Sequence, residues 1–83
     1  MQLVILTPGK EVYSGDITSV KVPGTTGQFE VLSGHAPIVS SLETGDVRVI
    51  EASGQTKTFS IKKGFIEVIN NEVAILAQGL VTL

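Results

Sequence analysis

The chain has 83 residues, enough for one domain, and a chain that short buries only about 60–65% of its unfolded surface, so contacts with a partner can matter to its stability. A hydrophobic fraction of 42% against 17% charged excludes disorder, and a net charge of −2 with six scattered Lys and Arg, three Phe, one Tyr and no Trp excludes the basic footprint and stacking platform of a nucleic-acid binder. The absence of cysteine excludes disulfides, zinc–cysteine sites and thiol nucleophiles, and fits a reducing compartment.

The first apolar run, LVIL at 3–6, is far shorter than the ~20 residues of a membrane-crossing helix. No basic segment leads from Met1 into a long apolar region, and no Arg/Ser-rich leader is seen, so a soluble cytoplasmic chain is expected. TPGK (7–10) is a Pro-Gly turn, proline setting the first turn dihedral and glycine free to take positive φ. SGD (14–16) reads as a second turn, ahead of SVKV (19–22), where Val20 and Val22 share a face opposite Lys21. PGTTG (23–27) has two glycines but no following Lys-Ser/Thr or helix, so it is a hairpin turn rather than a phosphate loop.

Next comes FEVLSGHAPIVSSLETGDVRV (29–49), which holds His35, the only histidine. Ser33 is too close in sequence to form a triad with it, and Ser40 and Ser41 lie in no nucleophile-elbow pattern. Beyond ETGD (43–46), a turn, DVRVIE (46–51) alternates Val47 and Val49 with Asp46 and Arg48. SGQ (53–55) turns the chain into KTFSIK (57–62), with Phe59 and Ile61 in phase. KKG (62–64) precedes FIEVIN (65–70), which places Ile66 and Val68 together with Glu67 opposite. Asn70-Asn71 suits a two-residue hairpin because asparagine tolerates the left-handed region. EVAILA (72–77) is apolar on both faces, as expected of a strand covered above and below, and GLVTL (79–83) is still strand-like.

Period-two runs separated by turns every six to twelve residues, with β-branched residues dominant and no helical periodicity, predict an all-β sandwich or barrel over residues 1–83. The acids Glu11, Asp16, Glu43, Asp46, Glu67 and Glu72 lie in turns or on exposed faces, and one histidine with dispersed carboxylates has no metal-site spacing. No catalytic site, metal or cofactor is expected. Lys62-Lys63 leaves one alternative, a carrier domain modified at Lys63, because lipoyl and biotinyl domains are all-β and carry their lysine at a hairpin tip. Against it, the pair stands at three-quarters of the length and lacks the flanking Asp-Ala or Met residues. An unrelated all-β adaptor is the other alternative.

The chain resembles the epsilon subunit of F-type ATP synthases along essentially its whole length. Gly34-His35-Ala36-Pro37, Gly45 and Val47-Arg48-Val49 match that family's Gly-His-Ala-Pro turn, its next turn and its following strand. Upstream, Ser14, Gly15, Val20, Val22, Gly24 and Gly27 match; downstream, Gly64, Glu67, Val68, Asn71, Val73 and Leu76-Ala77 match. The resemblance implies a flattened sandwich of two antiparallel sheets. The family typically continues into a C-terminal helical hairpin, whereas this sequence stops at Leu83; if it is full length, the inhibition and ATP binding that the hairpin supports are expected to be missing. The resemblance also implies a non-catalytic rotor subunit between the gamma shaft and the c ring. Such a subunit sits peripherally at the cytoplasmic side of a bacterial membrane, with no lipid insertion of its own. Gln28, Glu30, His35, Ala36 and Pro37 are the rotor contacts so implied, with apolar surface elsewhere meeting gamma. Gln28 stands where the family commonly has glutamate; Glu30, two residues along and on the same face, is placed to restore that charge. For His35 two readings stay open together: a contact with gamma or the c ring, and a turn histidine bonded to a backbone carbonyl.

Overall fold

A computed structural model describes residues 1–83 as nine strands and no helix. They are β1 (Gln2–Thr7), β2 (Lys10–Gly24), β3 (Gly27–Leu32), β4 (Ile38–Leu42), β5 (Gly45–Glu51), β6 (Thr56–Ile61), β7 (Lys63–Ile69), β8 (Glu72–Gln78) and β9 (Val81–Thr82). No helix is long and apolar enough to cross a membrane.

The strands form two layers joined through β2, whose 15 residues belong half to each. Its first half pairs with β1, from Thr7↔Lys10 to Gln2↔Asp16. Its second half pairs with β5 on one side, from Ile17↔Glu51, and with β3 on the other. The first sheet thus runs β3-β2-β5-β6-β9, and the second runs β2-β1-β8-β7-β4. A single pairing, Gly24↔Leu42, links the far end of β2 to β4 and closes the second sheet into a ring. All pairings are antiparallel except β1 with β8, which run parallel. The Cα trace measures 27 × 25 × 22 Å, so the flattening is slight.

The alternation of each strand decides what goes inside. The first sheet contributes Val20, Val22, Val31, Val47, Val49, Phe59 and Ile61, and the second contributes Leu3, Ile5, Ile66, Val68, Val73 and Ile75; all are buried in one cluster. Removing each such side chain from water stabilises the fold by about 1.5–3 kcal/mol.

Four expected turns form as anticipated. Gly9, at φ 78, follows Pro8 between Thr7 and Lys10. Thr25-Thr26 close the β2–β3 hairpin between Gly24 and Gly27, residues 52–55 join β5 to β6, and Asn70 (φ 49) and Asn71 (φ 60) are both left-handed, the geometry of a type I′ hairpin. The SGD expectation is corrected: Ser14-Gly15-Asp16 is continuous strand, at the place where β2 changes sheets. A β-carbon on Gly15 would lie 3.0 Å from the Tyr13 hydroxyl, so the glycine gives room for that ring rather than a turn. At KKG the chain bends at Lys62. Only Lys62 separates β6 from β7, and the two strands lie in different sheets.

Candidate functional site

The outer faces of the two sheets differ in what they expose. EVAILA was expected to be covered on both sides. Its inner residues Val73, Ile75 and Ala77 are buried, but Leu76 on the outer side is 49% exposed. Phe65 stands directly across from it on β7 and is 55% exposed. Leu6 flanks Leu76 on β1, and Val39 on β4, 71% exposed, lies across from Glu67. These positions make an uncovered apolar field on the second sheet, interrupted by Glu67. At one side a groove lined by Ser41, Lys63, Gly64, Phe65, Leu76 and Gln78 runs along it. Isolated exposed apolar residues need no explanation, but neighbouring ones on adjacent strands make a candidate interaction surface.

The five residues singled out in sequence do not form one cluster. Gln28 and Glu30 project from the outer side of β3, on the first sheet, with Gln28 opposite Pro23 at the hairpin end. Glu30 faces Lys21, and Lys21 in turn faces Arg48, so the carboxylate stands in a row with two cations of its own chain. No ion pair closes within that row; the one close pair in the chain joins the Met1 amino group to Asp16 at 3.1 Å. His35, Ala36 and Pro37 lie beyond the other end of β3, a strand roughly 20 Å long. Pro37 shares a shallow groove with Val39, Glu67 and Ile69, which makes its loop continuous with the apolar field of the second sheet.

The His35 loop is held by three polar contacts. His35 N–H donates to the Leu32 carbonyl at 3.0 Å, closing a turn in which Gly34 has φ 83. Gly34 N–H donates to Oδ1 of Asn71 at 2.7 Å. His35 Nδ1 lies 2.7 Å from the carbonyl oxygen of Ala36. A carbonyl only accepts, so Nδ1 is the donor in this contact, on a half-buried ring. The backbone-bonded reading of His35 therefore holds. Lys63 is no hairpin-tip lysine: it is the first residue of β7 and pairs with Gln78, which removes the structural basis of the carrier alternative.

Residues 1–82 match the family described as the ATP synthase delta/epsilon chain, β-sandwich domain. The chain belongs to that family. The ATP synthase epsilon chain of Chlorobium limicola is 39% identical over 79 residues, covering 95% of this chain and 90% of the relative. That of Protochlamydia amoebophila is 42% identical over 78 residues, but this chain spans 53% of its length. Among solved structures, a chain of the Euglena gracilis mitochondrial ATP synthase, determined with OSCP, F1 and c-ring, superposes with a TM-score of 0.87 over 96% of this chain and 51% of that one. Its 21% identity carries the fold alone.

A β-carbon on Gly64 would come within 2.4 Å of the Leu76 carbonyl oxygen, so β7 and β8 approach too closely there for any other residue. That approach sets Phe65 beside Leu76 in the apolar field. Sequence reasoning named neither as a contact residue, although both stand in the polar phase of their strands, Phe65 with Glu67 and Leu76 with Glu72 and Ala74. An apolar residue out of phase was the available signal.

Proposed function

We propose that this chain is a non-catalytic subunit of the central stalk of an F-type ATP synthase, joining the gamma shaft to the c ring and helping to couple ion flow to ATP synthesis. It works at the cytoplasmic face of a bacterial membrane, held there through the complex. The observation that carries the reading is the uncovered apolar field of Val39, Phe65, Leu76 and Ile69 on a family member whose core is already complete without it. An exposed apolar face of this kind marks a site of protein–protein contact, and the gamma subunit is its partner in this reading. Gln28 and Glu30, and the loop of His35, Ala36 and Pro37, supply the polar contacts toward the c ring and gamma. Glu30 faces Lys21 across the strands without closing an ion pair with it, so its carboxylate is open to a cation on the ring.

The coupling role suits the construction. Because β2 is shared by both sheets and Gly24↔Leu42 closes the ring of the second, shear between the layers must break backbone hydrogen bonds and not only slide side chains. The test is to purify the ATP synthase from the source membranes and record the intact masses of its subunits. A component containing this sequence that dissociates together with gamma supports the assignment. Its absence from the purified enzyme contradicts it.

A further inference from the structure

We infer that Asn71 is the positioning residue of the Gly34-His35-Ala36-Pro37 loop, holding it against the tip of the β7–β8 hairpin so that the loop meets its partner preformed. Asn71 occupies the second position of a two-residue hairpin, at φ 60. A type I′ turn asks at this position for a residue that tolerates the left-handed region, and glycine satisfies it at least as well as asparagine. The backbone therefore does not explain the side chain. What the side chain does is accept the Gly34 N–H at 2.7 Å, across 37 residues of sequence. The carbonyl of the same residue accepts Gln2 N–H at 3.0 Å, so the hairpin tip is itself tied to the start of β1 and gives the loop a fixed anchor.

The loop needs such an anchor. Residues 35–37 carry no strand pairing, Gly34 is left-handed at φ 83, and Ser33, Gly34, Ala36 and Pro37 are exposed. Its other ties, from His35 N–H to Leu32 and from His35 Nδ1 to Ala36, are local and shape the turn without fixing where it sits on the body. The Asn71–Gly34 bond is the long-range one. If the seated loop is the binding-competent state, losing that bond lowers its population, and the apparent affinity falls by the same factor.

The inference rests on the reading of this loop as a partner contact, and its test separates the two. Asn71→Gly keeps the hairpin and removes the clamp; Asn71→Asp keeps an acceptor oxygen and tolerates the left-handed backbone. Amide exchange followed by NMR on the free protein should show Gly34 and His35 exchanging about 2–10-fold faster in Asn71→Gly, with the β7 and β8 amides unchanged and Asn71→Asp near wild type. Binding to epsilon-depleted enzyme should weaken by a similar factor in Asn71→Gly and recover in Asn71→Asp. Unchanged exchange at Gly34 overturns the clamp. Faster exchange with unaltered binding overturns the positioning role if His35→Ala still weakens binding. If His35→Ala is also without effect, the contact reading of the loop has failed, and the positioning role with it.

Discussion

Facing away from the core, the first sheet presents Gln28, Glu30, Lys21, Arg48 and Thr58, while the second presents Val39, Phe65, Leu76 and Ile69. Both sheets bury valines and isoleucines inward in the same way, so core formation does not require the difference. The first pattern is that of a sheet with one solvated face, hydrophobic in and polar out. The second departs from it on the neighbouring strands β4, β7 and β8, and a departure shared across three strands marks a surface made for a partner. The first sheet is not wholly polar, since Leu32 is 52% exposed at the end of β3 and Val81 57% exposed on β9, but these two stand on different strands at separate edges, across from Ser19 and Ser60.

Charge placed in the apolar field breaks the comparison most directly. Phe65→Glu with Leu76→Glu should weaken binding of the gamma subunit by roughly 30-fold or more while leaving unfolding of the isolated chain little changed, because both side chains already face water. Titration of gamma against the variant, beside a denaturant melt, reads both. Gly64→Ala should cost about 1–3 kcal/mol of stability by forcing β8 away from β7. Its loss of gamma affinity should follow from the disturbed spacing of Phe65 and Leu76, measurable in the same two assays.

Tyr13 sharpens the comparison from the hinge between the sheets. Its hydroxyl donates to Glu51 Oε2 at 2.6 Å, and its ring meets Phe59 edge-on with centroids 5.9 Å apart. Burial first, then the hydrogen bond and the charge of Glu51, push its pKa from 10.0 up to about 12. The folded state therefore holds the phenolic proton more tightly than the unfolded chain. This contribution to stability is whole below pH 10 and is lost as pH rises toward 12. Tyr13→Phe should cost about 1 kcal/mol at pH 7 and show a shallower decline between pH 10 and 12 than wild type, read by urea unfolding across that range. The smallest effect belongs to the polar face: Arg48→Ala should change stability by no more than about 0.5 kcal/mol and gamma binding hardly at all.

Much of the fold was legible because local chemistry decides it. Alternation in FIEVIN put Ile66 and Val68 inside, and Pro8-Gly9 and Asn70-Asn71 turn where their backbone preferences dictate. Ser14-Gly15-Asp16 misled because the same composition serves a turn or a strand passing between sheets, and only the pairing of β2 with both β1 and β5 decides which. The parallel β1–β8 pair joins segments near the two ends of the sequence, a choice no local pattern records. At the surface, resemblance pointed to the segment from Gln28 to Pro37. It could not tell that Gln28 and Glu30 project from one sheet while the loop of His35 adjoins the other, nor that Asn71 reaches across to hold that loop.

The contrast between the two faces is tested most directly by hydroxyl-radical footprinting of side chains in the free chain and in the assembled enzyme. Phe65, Leu76 and Val39 should lose most of their labelling on assembly, while Lys57 and Thr58 on the first sheet keep theirs. Equal labelling of Phe65 and Leu76 in the two states, or protection confined to the first sheet, would contradict the account.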